Sequence, residues 1–224
     1  TIKMATKTKT GLAAIILTIT SFLFVLISFC TPYWLVGDVN RVNQNFERLG
    51  LWQVCFKKFQ DFRHQYDFQF TGCWWIFEEE YYIIQDFLLP GFFIATQFFL
   101  TLCMTLLLIA AFLTWLYCFC SRHHDKYMLL LLSVGTDLVI AGACGLVGVC
   151  IFGAFGDSRD WMPNWKTNGL GWSFAFACIG SLGLLPAGAL FLVEARRCRY
   201  RNLRESQVAS QYSMEMRKPS HTDI

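Results

Sequence analysis

Four long stretches of this chain carry almost no charge, and that limits the fold more than any other feature. Residues 10–37, 87–121 and 167–193 hold no Asp, Glu, Lys or Arg, and residues 127–156 hold one, Asp137. The hydrocarbon core of a bilayer takes about 20 apolar residues per helix. Each stretch is long enough, so the reading is four membrane spans. Composition agrees: 55% of residues are hydrophobic, 17% aromatic and 16% charged, with mean hydropathy +0.41. Soluble domains are roughly a quarter charged, and a soluble chain cannot hide so much apolar surface. A soluble enzyme and a nucleic-acid binder are set aside. Lys3, Lys7 and Lys9 precede the first stretch as in a signal peptide. The apolar run is longer than a signal core of about 7 to 15 residues, and no A-x-A site follows. It reads as an anchor that stays in place.

The expected organisation is a cytoplasmic N-terminus (1–10), span one (11–33) and a first outer loop containing a β-sheet (34–86). Span two (87–119), a cytoplasmic loop (120–126), span three (127–155), a second outer loop (156–168), span four (169–193) and a cytoplasmic tail (194–224) follow. Orientation comes from the basic residues. Lys3, Lys7, Lys9, Arg122, Lys126 and the run from Arg196 to Lys218 fall on one side, against a thinner scatter on the other. The positive-inside rule puts both termini in the cytoplasm. Arg196 to Arg204, beneath span four, either contact anionic lipid headgroups or simply fix topology. Short connections make neighbouring spans antiparallel, which predicts a left-handed four-helix bundle. Ala141, Cys144, Gly145 and Gly148 in span three, and Gly183 and Ala187 in span four, are the small residues expected at its seams. Pro186 is expected to kink span four.

The first outer loop carries strand signals. Phe62, His64, Tyr66, Phe68 and Phe70 alternate with polar residues, which is a period-two pattern. Leu49–Phe56 before it, ending at Lys57-Lys58, and Gly72–Phe77 after it are β-prone. Together they predict an antiparallel sheet of three to five strands. Glu78-Glu79-Glu80 opens a helix leading to span two, where acidic residues suit the helix dipole. Cys55 and Cys73 are the two cysteines in this loop, each on a predicted strand, and an oxidising compartment implies that they pair.

Trp34, then Gly50-Leu51-Trp52, then Cys55 and Cys73 resemble the W…G-L-W…C…C signature of the claudin family. The wider superfamily includes peripheral myelin protein, epithelial membrane proteins and calcium-channel gamma subunits. The position of the signature between spans one and two, the span count and the loop sizes match over nearly the whole chain. The Cys55–Cys73 spacing is wider than in vertebrate claudins. Glu78, Glu79, Glu80 and Asp86 stand where claudins usually carry a basic residue. The chain therefore looks like an invertebrate septate-junction claudin-like protein. The resemblance implies a plasma-membrane protein of lateral cell–cell junctions. It would form a paracellular barrier, as in tight junctions, and assemble with like or related claudins in cis and trans as homo- or hetero-oligomers. The runner-up is a gamma-like auxiliary subunit of a channel or receptor. A transporter would rest on Asp137 alone.

Other residues stand out. Trp161, Met162, Pro163, Asn164 and Trp165 in the second outer loop are either a partner-contact surface or an interfacial aromatic belt. Trp34, Leu51 and Trp52 are expected to pack the sheet onto the bundle. Asp137, an intramembrane acid, either lines an ion route or hydrogen-bonds Thr20, Ser21 or Ser133 inside the bundle. Thr222-Asp223-Ile224 at the end of the sequence resembles a class I ligand of a cytoplasmic PDZ scaffold. The tail from Arg199 onward has little apolar periodicity and is expected to lack fixed structure. Cys118, Cys120 and Cys198 are palmitoylation candidates. Cys118 and Cys120 lie near His123 and His124, but adjacent helical residues do not face one another, so neither a metal ion nor a cofactor is implied. The four histidines suggest no nucleophile–base set. Eight acids in the first outer loop against five bases predict cation preference if a pore forms.

Overall fold

The computed structural model describes residues 7–37, 45–60, 69–121, 124, 126–156, 161–163 and 165–216. Its helices are α1 (Lys9–Cys30), the short α2 (Gln85–Leu88), α3 (Gly91–Phe119), α4 (Tyr127–Phe155) and α5 (Trp172–Met216). All but α2 are long and apolar enough to cross a membrane. Thr8 caps α1 by accepting from the Gly11 N–H at 3.0 Å, which satisfies one of the helix's orphan donors. Span two does not run unbroken from residue 87. Pro90 lacks the N–H that would continue α2, so the chain breaks there and restarts as α3.

Lipid is as apolar as leucine, so these helices associate through close backbone packing rather than a hydrophobic drive. The buried face of α1 is Gly11, Ala14, Thr18, Ser21, Val25 and Ser28, while Leu12, Ile16, Ile19 and Leu23 point outward. Around the bundle α1 packs on α5, α5 on α4 and α4 on α3, whereas α1 meets α3 only sparsely. The tightest seam is α4 against α5. A Cβ on Gly188 would stand 2.8 Å from the Gly135 carbonyl oxygen. Gly145 abuts Ser181, while Gly148 faces Leu100 of α3. Gly180 meets Val25 and Ser21 of α1, and Gly183 also meets Ser21. Ala141 and Ala187 are buried, and Cys144 is half-buried. Pro186 lies within an uninterrupted α5.

The expectation of an unstructured tail is corrected. Helix α5 is 45 residues long and continues to Met216. Residues 199–216 contain no Gly or Pro, so nothing in them stops a helix. Arg201 and Glu205 pair across one turn at 3.9 Å. This extension is exposed along its length and packs on nothing among the described residues.

One sheet caps the bundle at the end opposite Lys7 and the Arg196–Arg204 run. Its strands are β1 (Leu35–Val36), β2 (Phe46–Leu49), β3 (Gln53–Gln60), β4 (Gln69–Trp75) and β5 (Gly169–Leu170). The order is β4-β3-β2-β1-β5, antiparallel throughout. Strand β5 comes from the connection between α4 and α5, so both connections at this end build the sheet, not the first alone. Strand β3 does not stop at Lys57-Lys58 as the sequence suggested. Its pairing with β4 shifts between Phe56 and Phe59, and Lys58 takes φ 52° there. This is a β-bulge. Simple alternation from Val54 and Phe56 would aim Lys58 into the core. The extra residue leaves both lysines exposed and brings Phe59 inward, stacked on Phe56 at 4.7 Å. Of the alternating run, Gln69 and Phe70 open β4, and residues 61–68 lie outside the described residues. After β4 a 3-10 turn at Glu79–Ile84 leads into α2, and its Tyr81 packs under Phe56 and Phe70.

The α4–α5 seam has no room for a larger side chain at Gly188. Gly188→Leu should lower thermal stability in detergent by about 1–3 kcal/mol, because backbone on the facing helix cannot move aside. Gly91→Ala, which meets nothing within 4 Å, should change it little.

Candidate functional site

The signature residues gather where the sheet meets the bundle. Trp34 is fully buried. Its backbone belongs to the sheet end: its N–H donates to Leu49 O at 2.8 Å and its carbonyl accepts from Gly171 at 2.9 Å. Its indole N–H donates to Ser28 O of α1 at 2.9 Å. The ring meets Phe152 of α4 edge-on at 5.0 Å and Phe174 of α5 at 5.8 Å. One side chain thus touches three spans.

Gly50-Leu51-Trp52 reaches the fourth. Leu51 is buried, and its carbonyl accepts from Gln97 Nε2 of α3 at 2.7 Å. Trp52 packs on Phe29 at 5.4 Å and Phe77 at 6.4 Å, and its carbonyl accepts from the Ile76 N–H at 2.9 Å. Gly50 is required by closeness: a Cβ there would sit 2.5 Å from Pro32 Cα. Its N–H donates to Gln53 O at 2.7 Å, closing the turn from β2 to β3.

Cys55 and Cys73 are opposite partners on β3 and β4 and form a disulfide. Arg48 lies across it. Its Nε is 3.3 Å from Cys55 Sγ and its Nη2 3.5 Å from Cys73 Sγ, while Nη1 donates to Tyr33 Oη at 2.8 Å. Tyr33 stacks on Trp172, the first residue of α5, at 5.0 Å. Glu47 neutralises the guanidinium from 3.5 Å. The disulfide is therefore wired to the top of span four.

Several expected site residues stand elsewhere than foreseen. Trp161, Met162 and Pro163 are buried, not presented outward. Trp161 lies against Phe92 at 4.8 Å, Phe93 at 5.3 Å and Phe152 at 6.1 Å. It fills the top of α3 and α4 instead of reaching a partner. Trp165 begins a 3-10 turn to Thr167. Aromatic exposure lies instead on β4 and the turn after it: Trp74, Trp75, Phe77 and Tyr82 are exposed, as is Ile83. A cavity of about 600 Å3 opens beside this patch, between Phe29, Cys30, Trp52 and Trp75.

Asp137 is half-buried, and its Oδ2 has no hydrogen-bond partner among the described residues. Thr20 and Ser133 bond their own helices' carbonyls, at 2.9 and 2.6 Å, and Ser21 lies against Gly183. Cys198 is buried and receives Arg201 Nη2 at 3.8 Å, whereas Cys118 and Cys120 are half-buried at the end of α3. Thr222, Asp223 and Ile224 lie outside the described residues.

Sequence reading missed Gln97, Arg48 and Lys7. A lone polar residue in an apolar run was the available signal for Gln97. Lys7 Nζ donates to Tyr117 O at 2.7 Å and Cys120 O at 3.0 Å, capping α3, and lies 4.2 Å from the Tyr117 ring centre. A cation at a helix C-terminus is favourable.

Compared with known families, residues 19–193 match the family model described as PMP-22/EMP/MP20/Claudin tight junction. No curated protein matches the chain.

Gln97→Leu should leave the buried Leu51 carbonyl unpaired and cost about 1–3 kcal/mol in detergent unfolding. Thr101→Val, which removes a hydroxyl bonded only within α3, should cost clearly less. Replacing Cys55 and Cys73 together by Ser should remove about 3 kcal/mol and expose the sheet to protease before the spans.

Proposed function

The chain belongs to the PMP-22/EMP/MP20/claudin family, and from that premise we propose that it is a cell–cell junction protein. It spans the plasma membrane with both termini in the cytoplasm and the sheet outside. There it supports a paracellular barrier, in septate or tight junctions, through cis and trans contacts with like or related chains. Orientation is supported by Lys7, Lys9, Lys126 and the Arg196–Arg204 run, all at the end away from the sheet. The tail's Thr222-Asp223-Ile224 would engage a cytoplasmic PDZ scaffold, and Cys118 and Cys120 would accept palmitate.

The carrying observation is the aromatic surface on the sheet's edge. Trp75 is 56% exposed, Tyr82 77% and Phe77 49%, while the sheet's other face is packed. An outer domain working alone would not leave such a patch bare. Among the described residues strand β4 is also a sheet edge, with backbone groups open to a further strand. The contact surface therefore moves from the second loop, whose Trp161 is consumed internally, to β4 and its turn.

The test is tracer flux across an epithelium that normally makes the protein. Depletion should let a small dye pass between cells while polarity persists, and the native chain should restore the seal. Trp74→Ser with Trp75→Ser should reach the lateral membrane, keep its disulfide and fail to restore it. A seal that survives depletion would overturn the barrier reading and turn attention to a co-purifying channel or receptor.

A further inference from the structure

A second feature lies at the opposite end of the bundle. Below the Gly135–Gly188 crossing, α4 and α5 leave a cleft of about 380 Å3. Its walls are Met128 and Leu132 on α4 and Ala189 and Leu192 on α5, and Arg196 and Arg199 form its rim. From Ala189 to Arg199 the helix rises about 15 Å. The cleft is thus apolar toward the membrane centre and cationic toward the surface.

The two rim arginines differ from their neighbours. Arg197 donates to Thr10 Oγ1 at 2.8 Å, and Arg201 pairs with Glu205. Arg196 and Arg199 are exposed and have no acidic partner among the described residues. Glu194, the nearest acid in sequence, is turned to the buried side of α5 and does not line the cleft. The volume falls within the roughly 300–1,000 Å3 of ligand pockets. A guanidinium fork matches phosphate oxygens.

We propose that this cleft binds one anionic phospholipid, its phosphate held by Arg196 and Arg199 and an acyl chain laid on Leu132 and Leu192. Charge complementarity selects the anion. The apolar walls select a lipid over free phosphate, which would leave Leu132 and Leu192 uncovered. The inference rests on the orientation proposed above only for the leaflet that supplies the lipid, and the cytoplasmic leaflet is the anionic one.

The full chain, purified in neutral detergent, is titrated with phosphatidylserine, phosphatidylcholine or inorganic phosphate and read by native mass spectrometry. Phosphatidylserine should be retained in preference to phosphatidylcholine, and added salt should weaken it. R196Q with R199Q should lower its affinity roughly tenfold or more. R197Q with R204Q, an equal loss of charge on the same helix, should leave it nearly unchanged. Ala189→Phe keeps every arginine and fills the cleft, so it too should weaken retention by a similar factor, which keeps the test alive if the glutamine pair fails to fold. Equal loss from both arginine pairs would overturn the site in favour of a diffuse basic surface. No preference over phosphatidylcholine, or displacement by inorganic phosphate at matched concentration, would also overturn it. Binding in detergent does not depend on sidedness or sealing. Protease access to the tail in sealed vesicles reads the orientation separately, so the two failures are distinguishable.

Discussion

The seating of Trp34 governs this structure. Its backbone is part of the sheet's ladder, its indole N–H satisfies a carbonyl near the end of α1, and its ring closes a cluster with Phe152 and Phe174, which also touch each other at 5.8 Å. A buried indole without a partner would be costly, so the hydrogen bond to Ser28 fixes where the ring can sit. With the ring fixed, β1 leaves α1 at one angle only. The remaining strands then add by antiparallel pairing on both sides of β1. The sheet and the upper bundle share one core, in which Leu49, Leu51, Val54 and Phe56 meet Phe93, Leu100 and Val149. The sheet is therefore not a separate domain hinged to the membrane part. It is the bundle's lid.

The same arrangement answers a weakness in the bundle. Three of its seams are built from small residues and close backbones, but α1 and α3 barely touch. That seam is closed at its two ends by polar contacts. At one end Lys7, just ahead of α1, caps the C-terminal carbonyls of α3. At the other, Gln97 of α3 holds the Leu51 carbonyl, while Trp52 lies on Phe29 of α1. In lipid a polar group seeks a protein partner because the solvent offers none, so a few such bonds can organise a seam that packing leaves loose. This gives Gly50 a physical role. Any larger residue would push the Leu51 carbonyl away from Gln97 by way of Pro32.

What the sequence made legible was local or chemical. Charge-free runs announce spans because a bilayer excludes charge. Cys55 and Cys73 were readable because redox chemistry depends on compartment rather than on neighbours. The losses were all non-local. Nothing near Lys57-Lys58 says that a bulge will turn them outward, since the bulge follows from where Phe59 must go. Gly169-Leu170 become a strand only because β1 lies beside them. Trp161 reads from the sequence as a contact or interfacial-belt residue because aromatics flank Pro163, yet Phe92, Phe93 and Phe152 leave a space that an indole fills. The helix beyond Arg199 failed for another reason. Amphipathic periodicity is a signal of burial, and an exposed helix held by propensity and the Arg201–Glu205 pair carries none.

The disulfide acquires meaning from what stands next to it. Cys73 is followed directly by Trp74 and Trp75, on the strand that forms the sheet's edge among the described residues. An edge strand free to fray would have to be ordered at the moment of association, and that ordering opposes binding. Tying Cys73 to Cys55, in the strand that leads out of the Gly50 turn, orders it in advance. Arg48 then links the pair through Tyr33 to Trp172 at the head of α5. The aromatic edge is thus held in place by a covalent bond and, through that chain of contacts, by a membrane span. A surface held this way suits repeated assembly between fixed neighbours, where geometry must propagate from one copy to the next, better than capture of a single flexible partner.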